Sequence, residues 1–206
     1  MILLIDNFDS FTFNLVQVLQ KMAVEPVVVR NDDPFVFEAL EGKLEAVIIS
    51  PGPSRPENAG LCLDFLTRLR PETPVLGVCL GHQILGYFAG AEVRVADRIM
   101  HGKTSLVVHD QQGMFENVPS PFEVCRYHSL VVEPGQGLGF KVGARTRENE
   151  VMALEYLDRP WMGVQFHPES ILTPLGPKIV ENFMRIAGVK TRQLYQEASH
   201  EYSESA

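Results

Sequence analysis

Apolar runs of a few residues alternate with amphipathic stretches through the first half of the chain. "MILLID" reads as a buried strand. The following "SFTFNLVQVLQKM" sets Phe11, Leu15, Val18, Leu19 and Met22 near helical spacing, with Ser10 as the expected N-cap. "EPVVVRND" and "EAVIISPG" are further strands, and "AGLCLDFLTRLR" is a second helix. "TPVLGVC" running into "GHQILGYFAG" repeats the strand-to-helix step. Strands with no polar face need cover on both sides. The alternation therefore predicts parallel βαβ units in a doubly wound, mostly parallel sheet flanked by helices.

From about residue 93 the pattern changes. "AEVRVAD", "TSLVVHD", "FEVCRYHSLVVEP", "FKVGARTR", "EVMALEYLD" and "WMGVQFH" read as strands joined by turns. They are expected to extend the sheet and to add a small antiparallel layer. A last amphipathic helix, "GPKIVENFMRIAG", packs back on the core. Residues 1–188 then form one domain, and the polar stretch 189–206, with few core anchors, is expected to be a mobile tail.

Composition narrows the function classes. With 206 residues, 45% of them hydrophobic, the chain has ample core for one large domain. A net charge of −8 and the lack of any Lys/Arg cluster count against a nucleic-acid partner. No apolar run approaches the roughly 20 residues of a membrane span, and "MILLIDNFDS" has no basic segment of a secretory signal. Cys62, Cys79 and Cys125 are odd in number and widely spaced, which fits neither a disulfide framework nor a metal pair. A reducing cytoplasm is the expected location.

The chemistry concentrates at Gly77-Val78-Cys79-Leu80-Gly81, a G-x-C-x-G string at a strand-to-helix step. It has the form of a nucleophile elbow with sulfur in place of oxygen. The helix that follows aims unpaired N–H groups and its positive end at the sulfur, which favours the thiolate. The Leu80 N–H would then face a developing oxyanion. Taken alone, the string also suits a buried cysteine on a tight turn, and Cys62 and Cys125 read as small core residues. A thiol nucleophile needs a base held by an orienting group. Among the six histidines, "GVQFHPES" singles out His167, at the end of an apolar strand, with Glu169 two residues on and on the same face. "IISPGPSRPENAG" adds a stiff loop whose Gly52 N–H could be the second oxyanion donor.

"PGPSRPENAG", "GVCLGHQ", "RYHSLVVEP" and "GVQFHPES", in that order, resemble a class I (triad) glutamine amidotransferase over residues 1 to 187. "LLIDNFDSFTFNL" and "MHGKTS" narrow the resemblance to the glutaminase components of anthranilate and aminodeoxychorismate synthases. It implies a flavodoxin-like fold, with Cys79 as nucleophile, His167 as base and acid, and Glu169 as orienter. It further implies oxyanion donors at Gly52 and Leu80 and glutamine contacts at Gly52, Pro53, Ser54, Gln83, Ser129 and Leu130. Ser54 departs from the family's PGPG string. His101 and Lys103 would face a chorismate-binding synthase subunit, which would hold the magnesium, while this chain needs no metal or organic cofactor. Two rivals remain open. One is a free-standing Cys-His-Glu amidohydrolase. The other is a flavin or phosphate site at "DNFDSFTFN", which Asp6 and Asp9 oppose by charge.

Overall fold

Both faces of the first strand are apolar, and both find cover. In the computed structural model, which describes residues 1–98 and 100–194, β1 (Ile2–Asp6) sends Leu4 to one face and Leu3 and Ile5 to the other. Leu4 joins Leu15 and Leu19 of α1 (Thr12–Lys21) and Ile179 and Phe183 of α5 (Gly176–Ile186). Leu3 and Ile5 meet Phe65 of α3 (Cys62–Arg68) and Ile84 and Leu85 of α4 (Leu80–Phe88). Each such side chain contributes about 1.5–3 kcal/mol by leaving water. The two apolar layers therefore fix the register of every parallel strand.

β2 (Pro26–Arg30), β1, β3 (Ala46–Ile49), β4 (Val75–Val78) and β11 (Trp161–Val164) lie side by side in that order, all parallel. Next come β10 (Val151–Tyr156), β9 (Phe140–Thr146), β6 (Lys103–His109) and β7 (Phe122–Arg126), antiparallel, completing nine strands. β5 (Glu92–Val95) and β8 (Leu130–Glu133) form a separate two-stranded ribbon. This is the doubly wound sheet with an antiparallel extension that the hydrophobic pattern predicts.

The local differences have physical causes. "FEVCRYHSLVVEP" is not one strand: β7 ends at Arg126, the chain turns through residues 127–129, and β8 leaves the main sheet. β11 likewise stops at Val164, three residues before His167. Ser10 does not cap α1. The Asp9 carboxylate accepts from the Phe11 N–H at 2.7 Å, and Asp6 accepts from the Thr12 hydroxyl at 2.7 Å, so two acids order the helix entry. A short helix, α2 (Phe35–Glu38), precedes β3. Residues 189–194 return to the body: the Arg192 N–H donates to Met22 O at 2.8 Å, and Leu194 packs on the core. The rest of the expected tail, 195–206, lies outside the described residues.

Candidate active site

Parallel strands end together, so the loops after β1, β3, β4 and β11 meet at one edge. Cys79 occupies the turn between β4 and α4 with φ 54° and ψ −101°, a backbone region that strains a side chain. The flanking glycines are steric requirements. A Cβ on Gly77 would overlap the Gly81 backbone, and one on Gly81 would overlap Ile49 O. The Cys79 N–H donates to Val164 O at 2.9 Å, which ties the turn to β11. The first bond inside α4 runs from the Gln83 N–H to Cys79 O at 3.1 Å. The amides of Leu80, Gly81 and His82 therefore have no acceptor within the helix, and the positive helix end faces the sulfur.

Beyond β11, the His167 N–H donates to Cys125 O at 3.1 Å, holding the chain across the sheet. The His167 Nδ1 lies 2.6 Å from Glu169 Oε1, with both side chains buried. Tyr127 and Phe11 stand edge-on to the imidazole, their centroids at 5.2 and 5.7 Å. Nε2 is buried and makes no aligned hydrogen bond. Burial opposes a charged imidazole, but Cys79 and Glu169 outweigh it and hold His167 well above its ordinary 6.5. The geometry is that of an imidazole oriented by a carboxylate and biased toward its protonated form beside a thiol.

The loop after β3 is braced from beneath. The Asn7 N–H donates to Ser50 Oγ at 2.9 Å, its Nδ2 donates to Ser50 O at 2.8 Å, and Asn31 Nδ2 donates to Asn7 Oδ1 at 2.8 Å. Gly52 is wedged so tightly that a Cβ there would stand 2.5 Å from Asn7 Cβ and 2.8 Å from Leu80 Cδ2. Ser54 has φ 76°, the left-handed region that glycine adopts freely. The residue at which this chain departs from its resemblance is thus strained.

Gly52, Pro53, Ser54, Cys79, Gln83, Ser129 and Leu130 all line one cavity of about 160 Å³, joined by Tyr127 and His128. The six positions expected to touch glutamine therefore surround one cavity, whose lining does not include Leu80, His167 or Glu169. His101 stacks edge-on against Tyr127 at 5.6 Å, on the rim, whereas Lys103 is exposed at the start of β6 and outside the cavity. Beside Glu169, an open groove of about 560 Å³ carries Ile171, 93% exposed, and Leu172. Asn7, Tyr127, His128 and Gln165 were not foreseen, although each lies within a quoted motif. Only Gln165 had a local signal, two residues before His167 in "GVQFHPES". The phosphate alternative loses its donors, because Asp6 and Asp9 already take the N–H and O–H groups of their own loop.

A buried thiol on an elbow, with a carboxylate-held imidazole at the carboxyl edge of a doubly wound sheet, is the arrangement of a cysteine-nucleophile enzyme. The chain belongs to the family described as glutamine amidotransferase class-I, which it matches over residues 3–187, and it is a glutamine amidotransferase. Among its relatives, the aminodeoxychorismate/anthranilate synthase component 2 of Bacillus subtilis is 46% identical over 89% of this chain and 95% of its own. The bifunctional protein TrpGD of Thermotoga maritima is 41% identical over 95% of this chain, which spans about a third (34%) of that longer protein. A solved Thermoplasma acidophilum protein, assigned as one component of a GMP synthase, superposes with a TM-score of 0.79 at 25% identity, covering 91% of this chain and 93% of its own.

Proposed function

We propose that this chain is the glutaminase component of a chorismate-aminating synthase, forming anthranilate or 4-amino-4-deoxychorismate with a separate synthase subunit. The observation that carries it is the 160 Å³ cavity, which gathers Cys79 with Gly52, Gln83, Ser129 and Leu130. The names of relatives point to both pathways and to a second component. In this reading the Cys79 thiolate adds to the side-chain carbonyl carbon of L-glutamine. The Gly52 and Leu80 N–H groups stabilise the oxyanion. His167 gives its proton to the departing nitrogen, and ammonia leaves a γ-glutamyl thioester. Water then attacks, His167 takes its proton, and glutamate leaves as the thiolate is restored. Glu169 holds the imidazole throughout. Chorismate and magnesium belong to the partner, which would cover His101, Lys103 and the apolar rim at Ile171. The three unpaired cysteines suit a cytoplasmic setting.

The test is glutamate release by the purified chain, titrated with each of the two synthase subunits. Slow hydrolysis alone, accelerated by a synthase, is expected. Cys79→Ser should abolish it with the fold intact, because a hydroxyl has almost no anionic fraction near neutral pH. An electrophilic glutamine analogue should place one label, on Cys79. His167→Ala should lower the rate at least as much as Glu169→Ala, since the imidazole moves protons and the carboxylate positions it. Full activity in isolation with no synthase binding would leave the free-standing amidohydrolase as the answer.

A further inference from the structure

Gln165 is fully buried and lies between the side chains of Cys79 and Gln83. Its backbone N–H donates to Met152 O at 2.9 Å, which fixes the residue just past β11. Its carboxamide has two neighbours: Nε2 is 3.8 Å from Cys79 Sγ, and Oε1 accepts from Gln83 Nε2 at 3.1 Å. The orientation follows from the network. Gln83 Nε2 also donates to Leu130 O at 3.0 Å, and a carbonyl can only accept, so the amino end of Gln83 must face Leu130. Its second N–H then requires the oxygen end of Gln165, which turns the Gln165 amino group toward the sulfur.

We propose that Gln165 is a positioning residue for the nucleophile. It donates to the Cys79 thiolate and holds the Gln83 carboxamide in register with it. The inference rests on Cys79 being the nucleophile of the proposed reaction. A buried anion needs donors, and an amide N–H supplies one without competing for the proton that His167 must deliver. The same carboxamide locks the side chains of Cys79 and Gln83, one helical turn apart, so that substrate contact and attacking atom are set together.

The test compares wild type with Q165M, which keeps the length of the side chain but not the donor, and Q165E, which keeps its shape but turns an oxygen toward the sulfur. Alkylation of Cys79 by iodoacetamide is followed across pH by mass spectrometry, and KM and kcat for glutamine are measured beside it. Q165M should slow alkylation at neutral pH about ten- to a hundredfold, the loss of a hydrogen bond to a charged group. It should also move the pH–rate profile upward and raise KM. Q165E should be slower still. An unmoved profile in Q165M, or faster alkylation in Q165E than in Q165M, would mean that Gln165 only fills space and overturns the proposal. Should Q165E fail to fold, the profile of Q165M decides alone. Alkylation does not depend on glutamine: the expected order in a protein that releases no glutamate would sink the proposed function and uphold this inference.

Discussion

Along the carboxyl edge of the parallel strands, crowding of the backbone sets positions. Gly52, Gly77 and Gly81 each stand where a Cβ would overlap a neighbour, and Cys79 holds a strained φ between two of them. The antiparallel strands are looser. A Cβ on Gly143 of β9 would find Ala153 Cβ at 3.7 Å, an ordinary contact. There, polar side chains supply the order instead. Buried Arg126 pairs with Glu150, donates from Nε to His128 Nε2 at 3.0 Å and from a terminal nitrogen to Ser105 Oγ at 3.1 Å. His128 Nδ1 in turn bonds Leu130 O at 2.9 Å, beside the cavity. One half therefore places reactive groups through backbone shape, which tolerates little change. The other does so through charge, which can be tuned and titrated.

The largest effect should come from breaking the crowded half. Gly81→Ala is expected to lose about 4 kcal/mol or more of stability, or to prevent folding, because the backbone of Ile49 cannot move aside. Gly143→Ala should gain up to about 1 kcal/mol, as a strand-interior glycine gives up its freedom. Urea denaturation of both variants measures the contrast, and similar losses would erase it.

Arg126→Met tests the charged half. It leaves the part-buried Glu150 carboxylate unpaired, a loss of up to about 3 kcal/mol. Adding Glu150→Gln should recover much of that loss, whereas a purely steric role for Arg126 would leave the double variant as weak as the single.

Acid sharpens the comparison further. Burial pushes His82 down to about 4, and burial with the neighbouring Arg126 charge pushes His128 down to about 3, from an ordinary 6.5. The unfolded chain therefore takes up protons below pH 6.5 that the folded chain refuses. The stability carried by these neutral imidazoles is complete above that pH and falls as pH drops, by about 2 kcal/mol each at pH 5. His167 has the opposite sign: its charge supports the fold below pH 6.5, and that support is lost as pH rises through its raised folded value. Urea midpoints between pH 7 and 5 should fall, and the slope should lessen in His82→Leu.

Ser54→Gly is the smallest change. Relief of the left-handed backbone should outweigh the weak 3.5 Å contact from Asn58 Nδ2 to Ser54 Oγ and gain about 0.5–1 kcal/mol. A lower melting temperature would show that this contact dominates.

The same contrast explains what could be read from the sequence. Apolar periodicity revealed the parallel strands because burial on both faces leaves few other solutions. The nucleophile, its imidazole and the carboxylate were visible because glycine spacing and i, i+2 alternation are local. The break at residues 127–129 was not visible: "FEVCRYHSLVVEP" carries no glycine and no proline before its last residue, and only the departure of β8 to pair with β5 interrupts it. Arg126 was also unreadable, since its partners Ser105 and Glu150 are 21 and 24 residues away. Ser10 looked like a cap because nothing local said that Asp6 and Asp9 would order the helix entry instead.

The backbone of Cys79 also bears on inheritance. Glycine would relax its positive φ, and one base change separates the cysteine codons from those of glycine. A lineage no longer selected for amide hydrolysis would meet, at its nucleophile, a mutation that silences the site and steadies the fold in one step. Glu169 offers no such descent, since its loss leaves a buried imidazole without its holder. Decay of the activity should therefore begin at the elbow, and the scaffold would survive it.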